Sequence, residues 1–508
     1  MQMKKKRKIS VLSVVFTLIL FIGVLCVCSA RWYIEVYGDV GFDAVLYTLF
    51  SNIDGAETGL VWNYVFNALL KAVLITALIS AVLFAVTSKK LFMQVGKKEF
   101  CVYPFPKWLS AVFAVIISVV LTVNAAISSN LDVYLSYMLS PSSNFIKENY
   151  IDPKSVDIKF PSQKRNLIVI YLESMETSFT SAEYSGGNDV NPIPELCALA
   201  EKNLNFSQNS TVGGFTSLSG SGWTMAALVA INCGVPLKLP FSIDGNEYGK
   251  EHFLPNITSL SDILHKNGYY QAFMCGSPAS FGGREAFYNE HGIDDIFDYN
   301  TADDDGIIPE GYAVWWGMED LHLFEYAKQK LTEISKENKP FAFSMLTADT
   351  HHIGGYVCSL CKDQFPEQYE NVFACSSRQV NEFVDWIQNQ EFYKNTTVVI
   401  CGDHPSMDGE YVYNNIPENY KRKVYNCFIN SAVDTKSTKN REFSSFDMFP
   451  TILASIGCEM SSARLGLGTD MFSQSLTLSE QMGNDVIDTE LNKKSDYYDK
   501  EFLGLNLK

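Results

Sequence analysis

Asn166-Leu167-Ile168-Val169-Ile170-Tyr171-Leu172-Glu173-Ser174 decides how the body of this 508-residue chain is read. An uncharged run rich in Ile, Val, Leu and Tyr fits a strand covered on both faces, as in a parallel sheet flanked by helices. Comparable runs stand at 269–275, 340–346, 396–401 and 424–429. Amphipathic stretches at 257–267, 321–337 and 376–390 lie between them, and that alternation predicts an α/β domain. The runs end in polar groups: Glu173-Ser174, Gly276-Ser277-Pro278, Asp349-Thr350-His351-His352 and Gly402-Asp403-His404. In open α/β sheets ligands bind beyond the carboxyl ends of the strands, so Glu173, His351, Asp403 and His404 are predicted to meet on one rim.

Between the first two runs lies Gly213-Gly214-Phe215-Thr216-Ser217-Leu218-Ser219-Gly220-Ser221-Gly222-Trp223-Thr224, which turns into an apolar, helix-like segment. Thr224 is predicted at a helix N-terminus, where exposed amides and the helix dipole favour an anion. A capping hydroxyl after a flexible loop reads the same way. Two carboxylates and an imidazole suit Mg2+, Mn2+ or Zn2+. A hydroxyl as fourth ligand would have its pKa lowered and become a nucleophile, and Thr224 fits that role.

The formal net charge is −17, and the acidity lies in the body, while Lys and Arg outnumber Asp and Glu in residues 1–130. An acidic body argues against nucleic-acid binding. Lys4, Lys5, Lys6, Arg7 and Lys8 precede an apolar run at about 9–28, with further runs at about 63–86 and 108–128. Each is long enough to cross roughly 30 Å of hydrocarbon. Segment 31–62 is acidic and loop 87–107 is basic, which predicts a multi-pass membrane protein with a cytoplasmic N-terminus and everything after about 129 outside. Cys28-Ser29-Ala30 also permits a cleaved signal peptide. The predicted division is a membrane domain at 1–130, a connector at 131–163 with a helix over 131–150, an extracytoplasmic catalytic domain at 164–475, and a tail at 476–508 with no assigned role. Of twelve cysteines nine follow residue 129. Cys358-x-x-Cys361 alone is a weak zinc signal, and a short disulfide from Cys358 or Cys361 to Cys375 is the prediction.

The ordered set 166–176, Gly220-Ser221-Gly222-Trp223-Thr224-Met225-Ala226, Cys233-Gly234-Val235-Pro236-Leu237, Asp349-Thr350-His351-His352, Gly402-Asp403-His404 and Phe446-Asp447-Met448-Phe449-Pro450-Thr451-Ile452-Leu453 resembles the sulfatase-like phosphoglycerol transferases of the alkaline phosphatase superfamily, relatives of lipoteichoic acid synthase. The likeness spans about 145–475. It implies a mixed, mostly parallel central sheet in an α/β sulfatase/alkaline-phosphatase-like domain behind N-terminal transmembrane helices. It also implies one Mn2+ or Mg2+ on Glu173, Thr224, Asp403 and His404, and a covalent phosphoglycerol group on Thr224. Phe281-Gly282-Gly283-Arg284 resembles the family segment whose Arg holds the substrate anion, and His351, with adjacent His352, matches a substrate-binding His. Trp316 fits either a substrate contact or packing. The implied donor is a membrane lipid such as phosphatidylglycerol, and the implied acceptor a glycan or glycolipid. Met-Ala-Ala after Thr224 departs from the C/S-x-P-x-R context of true sulfatases. A phosphoethanolamine transferase, a hydrolysing phosphodiesterase and a catalytically inactive membrane scaffold are the alternatives.

Overall fold

The computed structural model describes residues 11–37, 58–87, 91–95, 98–103, 107–129, 131, 139–238, 252–337, 339–435 and 437–504. It divides into two units, one holding the N-terminal helices and the other holding residues 137–508. In the first, α1 (Val11–Tyr37), α2 (Leu70–Thr87) and α3 (Lys107–Ser128) carry the predicted spans. Val14–Val36 and Val61–Val82 are long and apolar enough to cross a membrane. The third prediction, 108–128, is helical, but its described apolar part, Val112–Ser128, is shorter than that criterion. Of the helix predicted over 131–150, residues 132–138 lie outside the described residues, while Leu131, Leu139 and Phe145–Asn149 are helical. Ser140-Pro141-Ser142-Ser143 interrupts it, since Pro disfavours helix at the residue before it and hydroxyls compete for the backbone.

A seven-stranded sheet organises the second unit. In chain order its strands are β1 (Asn166–Leu172), β2 (Gly214–Phe215), β3 (Tyr270–Cys275), β4 (Asp295–Phe297), β5 (Phe341–Leu346), β6 (Thr396–Gly402) and β7 (Val424–Ile429). Across the sheet the order is β2-β7-β6-β1-β5-β3-β4. β1 lies parallel between β5 and β6, and β3 runs parallel to β5 and β4. β7 is antiparallel to both β6 and β2. The sheet is therefore mixed and mostly parallel, as the resemblance implies.

The alternation of β1 explains its unbroken apolarity. Leu167, Val169 and Tyr171 enter one core, while Ile168, Ile170 and Leu172 enter the other. The first core is closed by α4 (Thr224–Cys233), α5 (Leu260–Lys266) and α8 (Met448–Ser455). The second is closed by α6 (Asp320–Ile334) and α7 (Gln368–Gln388). The tail belongs to the first core as well: Leu478, Ile487, Leu491, Tyr498 and Phe502 are buried there. Its apolar residues are sparse in sequence because only one side of its short helices meets the domain.

Asp447 ties the start of α8 to Gly468–Thr469. Its Oδ2 accepts the Ser444 amide at 2.7 Å and its Oδ1 accepts the Thr469 amide at 2.7 Å. An Asn here turns an NH2 group toward one of those buried donors, so Asp447→Asn is expected to cost about 1–3 kcal/mol. Burial pushes the Asp447 carboxyl up to about 6, against roughly 3.9 in an unfolded chain. The folded state holds this proton more tightly, so its contribution is complete below the unfolded value and lost as pH rises through the folded one. Thermal unfolding of wild type and variant across the mildly acid range checks both the loss and the removal of that slope.

Candidate active site

β1 and β6 are adjacent and parallel, so their carboxyl ends present Glu173 and Asp403-His404 side by side. Gly402 makes the approach possible, because a Cβ there would stand 2.0 Å from the Met175 carbonyl oxygen. Ser174 takes a left-handed conformation, φ 55°, that non-glycine residues adopt rarely. That turn sends its amide to Asp403 Oδ1 at 2.9 Å and its hydroxyl to Glu173 Oε1 at 2.7 Å. The Glu173 amide donates to Thr347 Oγ1 at 3.0 Å, and the Thr350 hydroxyl donates to the Glu173 carbonyl at 2.5 Å. The carboxylate is thereby set by the ends of three neighbouring strands.

Thr224 is the first residue of α4. Its hydroxyl caps nothing and turns into the site, 3.2 Å from Glu173 Oε2 and 3.3 Å from His404 Nε2. One glycine of its loop has a clear structural role. Gly214 lies in β2, where a Cβ would stand 1.7 Å from the Val424 carbonyl oxygen, so it permits strand pairing.

Glu173, Asp403 and His404 are all buried, and their ligand atoms lie within 4.8 Å of one another. His404 Nε2 stands 3.4 Å from Asp403 Oδ2 and 3.5 Å from Glu173 Oε1. His404 Nδ1 lies 2.9 Å from the Pro405 carbonyl, which assigns the proton to Nδ1 and turns the Nε2 lone pair into the site. Asp403 Oδ2 is buried without a hydrogen-bond partner. Burial and the Glu173 charge push the Asp403 carboxyl well above the ordinary range. At Glu173 burial acts upward, but the neighbouring His404 and His351 imidazoles and the Ser174 and Thr224 hydroxyls hold it below. Two carboxylates, an imidazole lone pair and a hydroxyl around an unpartnered buried oxygen fit one divalent cation.

The remaining predicted residues form a wall beside this group. Trp316 meets His351 edge to face at 4.8 Å, and His351 stacks on His352 at 4.3 Å. Burial, with the His351 and His404 charges, holds His352 well below the ordinary imidazole range. Phe281 joins Trp316 at 5.3 Å and lies under the Arg284 guanidinium at 5.6 Å. Arg284 is buried and donates through Nη2 to Ser277 Oγ and the Pro278 carbonyl, both at 2.9 Å. Arg284 Nε and Trp316 Nε1 are buried donors without a partner.

Sequence reasoning missed the support of the Asp403-His404 turn. Glu176 is fully buried and paired with Arg422, whose Nε donates at 2.9 Å. The same carboxylate accepts the Ser406 amide at 3.0 Å, and Arg422 Nη2 reaches the Ser406 carbonyl at 2.7 Å. Glu176 stands three residues after Glu173 in a quoted motif, but nothing in the sequence joins it to Arg422.

Residues 165–458 match the sulfatase family model, and the chain belongs to that enzyme family. Phosphoglycerol transferase I of Xanthomonas campestris pv. campestris (strain B100) is 32% identical over 343 residues, 64% of this chain and 46% of that one. The protein of the same name from Citrobacter koseri is 32% identical over 258 residues, 49% of this chain and 32% of that one. The chain thus spans less than half the length of these curated relatives. Among solved structures, the lipoteichoic acid synthase LtaP from Listeria monocytogenes has the same fold, with a TM-score of 0.50 and 19% identity, covering 65% of this chain and 82% of that one. A protein in the alkaline phosphatase superfamily from Vibrio parahaemolyticus shares it too, with a TM-score of 0.50 and 17% identity, covering 66% and 79%.

Two outcomes follow from this geometry. Mn2+ at about a hundred times its Kd should stabilise the wild type by about 2.7 kcal/mol, and Asp403→Asn should abolish that shift in a thermal unfolding assay. Arg422→Met leaves Glu176 buried and unpaired, so a loss of about 3–5 kcal/mol is expected in denaturant unfolding.

Proposed function

We propose that this chain is a membrane-anchored, metal-dependent transferase that takes glycerol phosphate from phosphatidylglycerol or a similar donor. It passes the group to a glycan or glycolipid hydroxyl through a phosphothreonine at Thr224. The observation that carries this reading is the Thr224 hydroxyl at 3.2 Å from Glu173 and 3.3 Å from His404, at the head of α4. The likeness to phosphoglycerol transferase I supports the choice of group. Mn2+ or Mg2+ held by Glu173, Thr224, Asp403 and His404 would lower the hydroxyl pKa and neutralise phosphoryl charge.

Thr224 Oγ1 attacks the donor phosphorus, the phosphorus–oxygen bond to diacylglycerol breaks, and the hydroxyl proton ends on the departing diacylglycerol oxygen. The first amides of α4 face the developing charge. Arg284, whose guanidinium can grip a phosphate, and Trp316 offer their unpartnered N–H groups to the bound headgroup, with His351 and His352 beside them. An acceptor hydroxyl then attacks the same phosphorus and frees Thr224. Threonine in place of a formylglycine precursor disfavours sulfatase chemistry. In this reading the apolar helices hold the domain on the outer face of the membrane, where a lipid donor is within reach.

The test is trapping. The full-length protein with phosphatidylglycerol labelled in its headgroup and Mn2+ should retain label on intact chain, with diacylglycerol released. Thr224→Ala or a chelator should abolish both. Label retained instead from phosphatidylethanolamine would redirect the reading to a phosphoethanolamine transferase, and turnover to free glycerol phosphate with glycans present would make it a phosphodiesterase. No adduct and no diacylglycerol would sink it.

A further inference from the structure

A second group of metal-ligand atoms lies outside the site just described. Cys358, Cys361 and Cys375 bring their sulfurs within 4.8 Å of one another. None is linked: Cys358 Sγ stands 3.8 Å from Cys361 Sγ and 3.7 Å from Cys375 Sγ. The predicted disulfide to Cys375 is therefore not formed, since it needs about 2.05 Å. Zinc–sulfur bonds of about 2.3 Å at the tetrahedral angle place two sulfurs about 3.8 Å apart, and the Cys358–Cys361 and Cys358–Cys375 separations match that spacing. We propose that Cys358, Cys361 and Cys375 form a structural site for a thiophilic divalent cation of the zinc type, separate from the Glu173 group.

The surroundings agree with thiolate ligation. Cys358-Ser359-Leu360-Cys361 folds into a turn with the Cys361 amide on the Cys358 carbonyl at 3.1 Å. Gln379 Nε2, one turn along α7, donates to Cys375 Sγ at 3.5 Å. Such N–H donors hold sulfur ligands in place and spread their negative charge. Arg378 Nη2 donates to the Leu360 carbonyl at 3.3 Å, bringing a fixed cation to the rim of a site whose three thiolates exceed the charge of the ion. Cys358 and Cys375 are buried and Cys361 is half-buried, so a fourth position opens toward solvent for water. Binding releases the thiol protons to solvent and oxidises nothing.

Two cysteines of the site lie on the loop that carries His351 and His352, and the third lies on α7. The ion would staple that loop to the domain. Full-length protein in detergent, stripped of metal under reductant, is titrated with Co2+, which reports sulfur ligation by a charge-transfer band. One equivalent should produce the band and zinc should bleach it. Cys361→Ser and Cys375→Ser should lose it, while Asp403→Asn keeps it because that site has no sulfur. In the wild type, zinc should slow alkylation of the three thiols at least tenfold and a chelator should restore the rate. Equal alkylation with and without zinc overturns the proposal, as does a native disulfide to Cys375 whose reduction yields no cobalt band.

Discussion

Two buried carboxylates side by side are the constraint on which the rest of the site depends. Glu173 and Asp403 stand at the ends of adjacent parallel strands with no solvent to screen them. Like charges about 4 Å apart repel by about 4 kcal/mol at an effective dielectric of 20, before any desolvation cost. The chain offsets part of this with donors: the Ser174 and His404 amides on Asp403 Oδ1, and the Ser174 and Thr224 hydroxyls on Glu173. Asp403 Oδ2 remains without one. A divalent cation would complete the balance where another side chain would have filled the space in a packed core.

Holding that arrangement open takes structure that adds nothing to the chemistry itself. Ser174 keeps a left-handed backbone because its amide and hydroxyl are both consumed by the two carboxylates. Behind it, Glu176 and Arg422 clamp both the amide and the carbonyl of Ser406, fixing the turn that carries His404. These residues surround the reacting group at the next layer out, and their pairing spans most of the domain in sequence. A buried ion pair is a poor source of stability but a good source of register, and register is what the His404 imidazole requires.

The sheet centre was legible because strands covered on both faces leave an unbroken apolar run, and β1, β3, β5, β6 and β7 all carry one. The two edge strands escaped notice. Gly214–Phe215 and Asp295–Phe297 are too short for periodicity, and the first is marked by glycines that suggest a loop. Glu173, Asp403, His404 and Thr224 could be named because each follows a strand or opens a helix, where chemistry leaves a positional mark. Glu176–Arg422 had no such mark. The tail hid its packing because only one side of each short helix is apolar, and Ser140-Pro141 interrupts the connector ahead of Phe145–Asn149. Cys375 was paired with Cys358 and Cys361 correctly in space, but spacing alone does not tell a disulfide from a three-sulfur cluster.

The loop after β5 links the two groups of ligands. Thr347 and Thr350 touch the Glu173 backbone at its start, and Cys358 and Cys361 end it. Between them the Tyr356 amide returns to the Asp349 carbonyl at 2.7 Å, and the Gly354 amide reaches Asp408 Oδ2 at 2.8 Å. His351 and His352 therefore stand on a span fixed at both ends and in the middle. Ordering side chains in advance in this way spares that entropy at the moment of any binding. The anchors nearest the carboxylates also respond to them, for Glu173 feels the His351 charge through the same span. Whatever orders the cysteine end is thus coupled by covalent reach, over few residues, to the side chains that face the Thr224 hydroxyl.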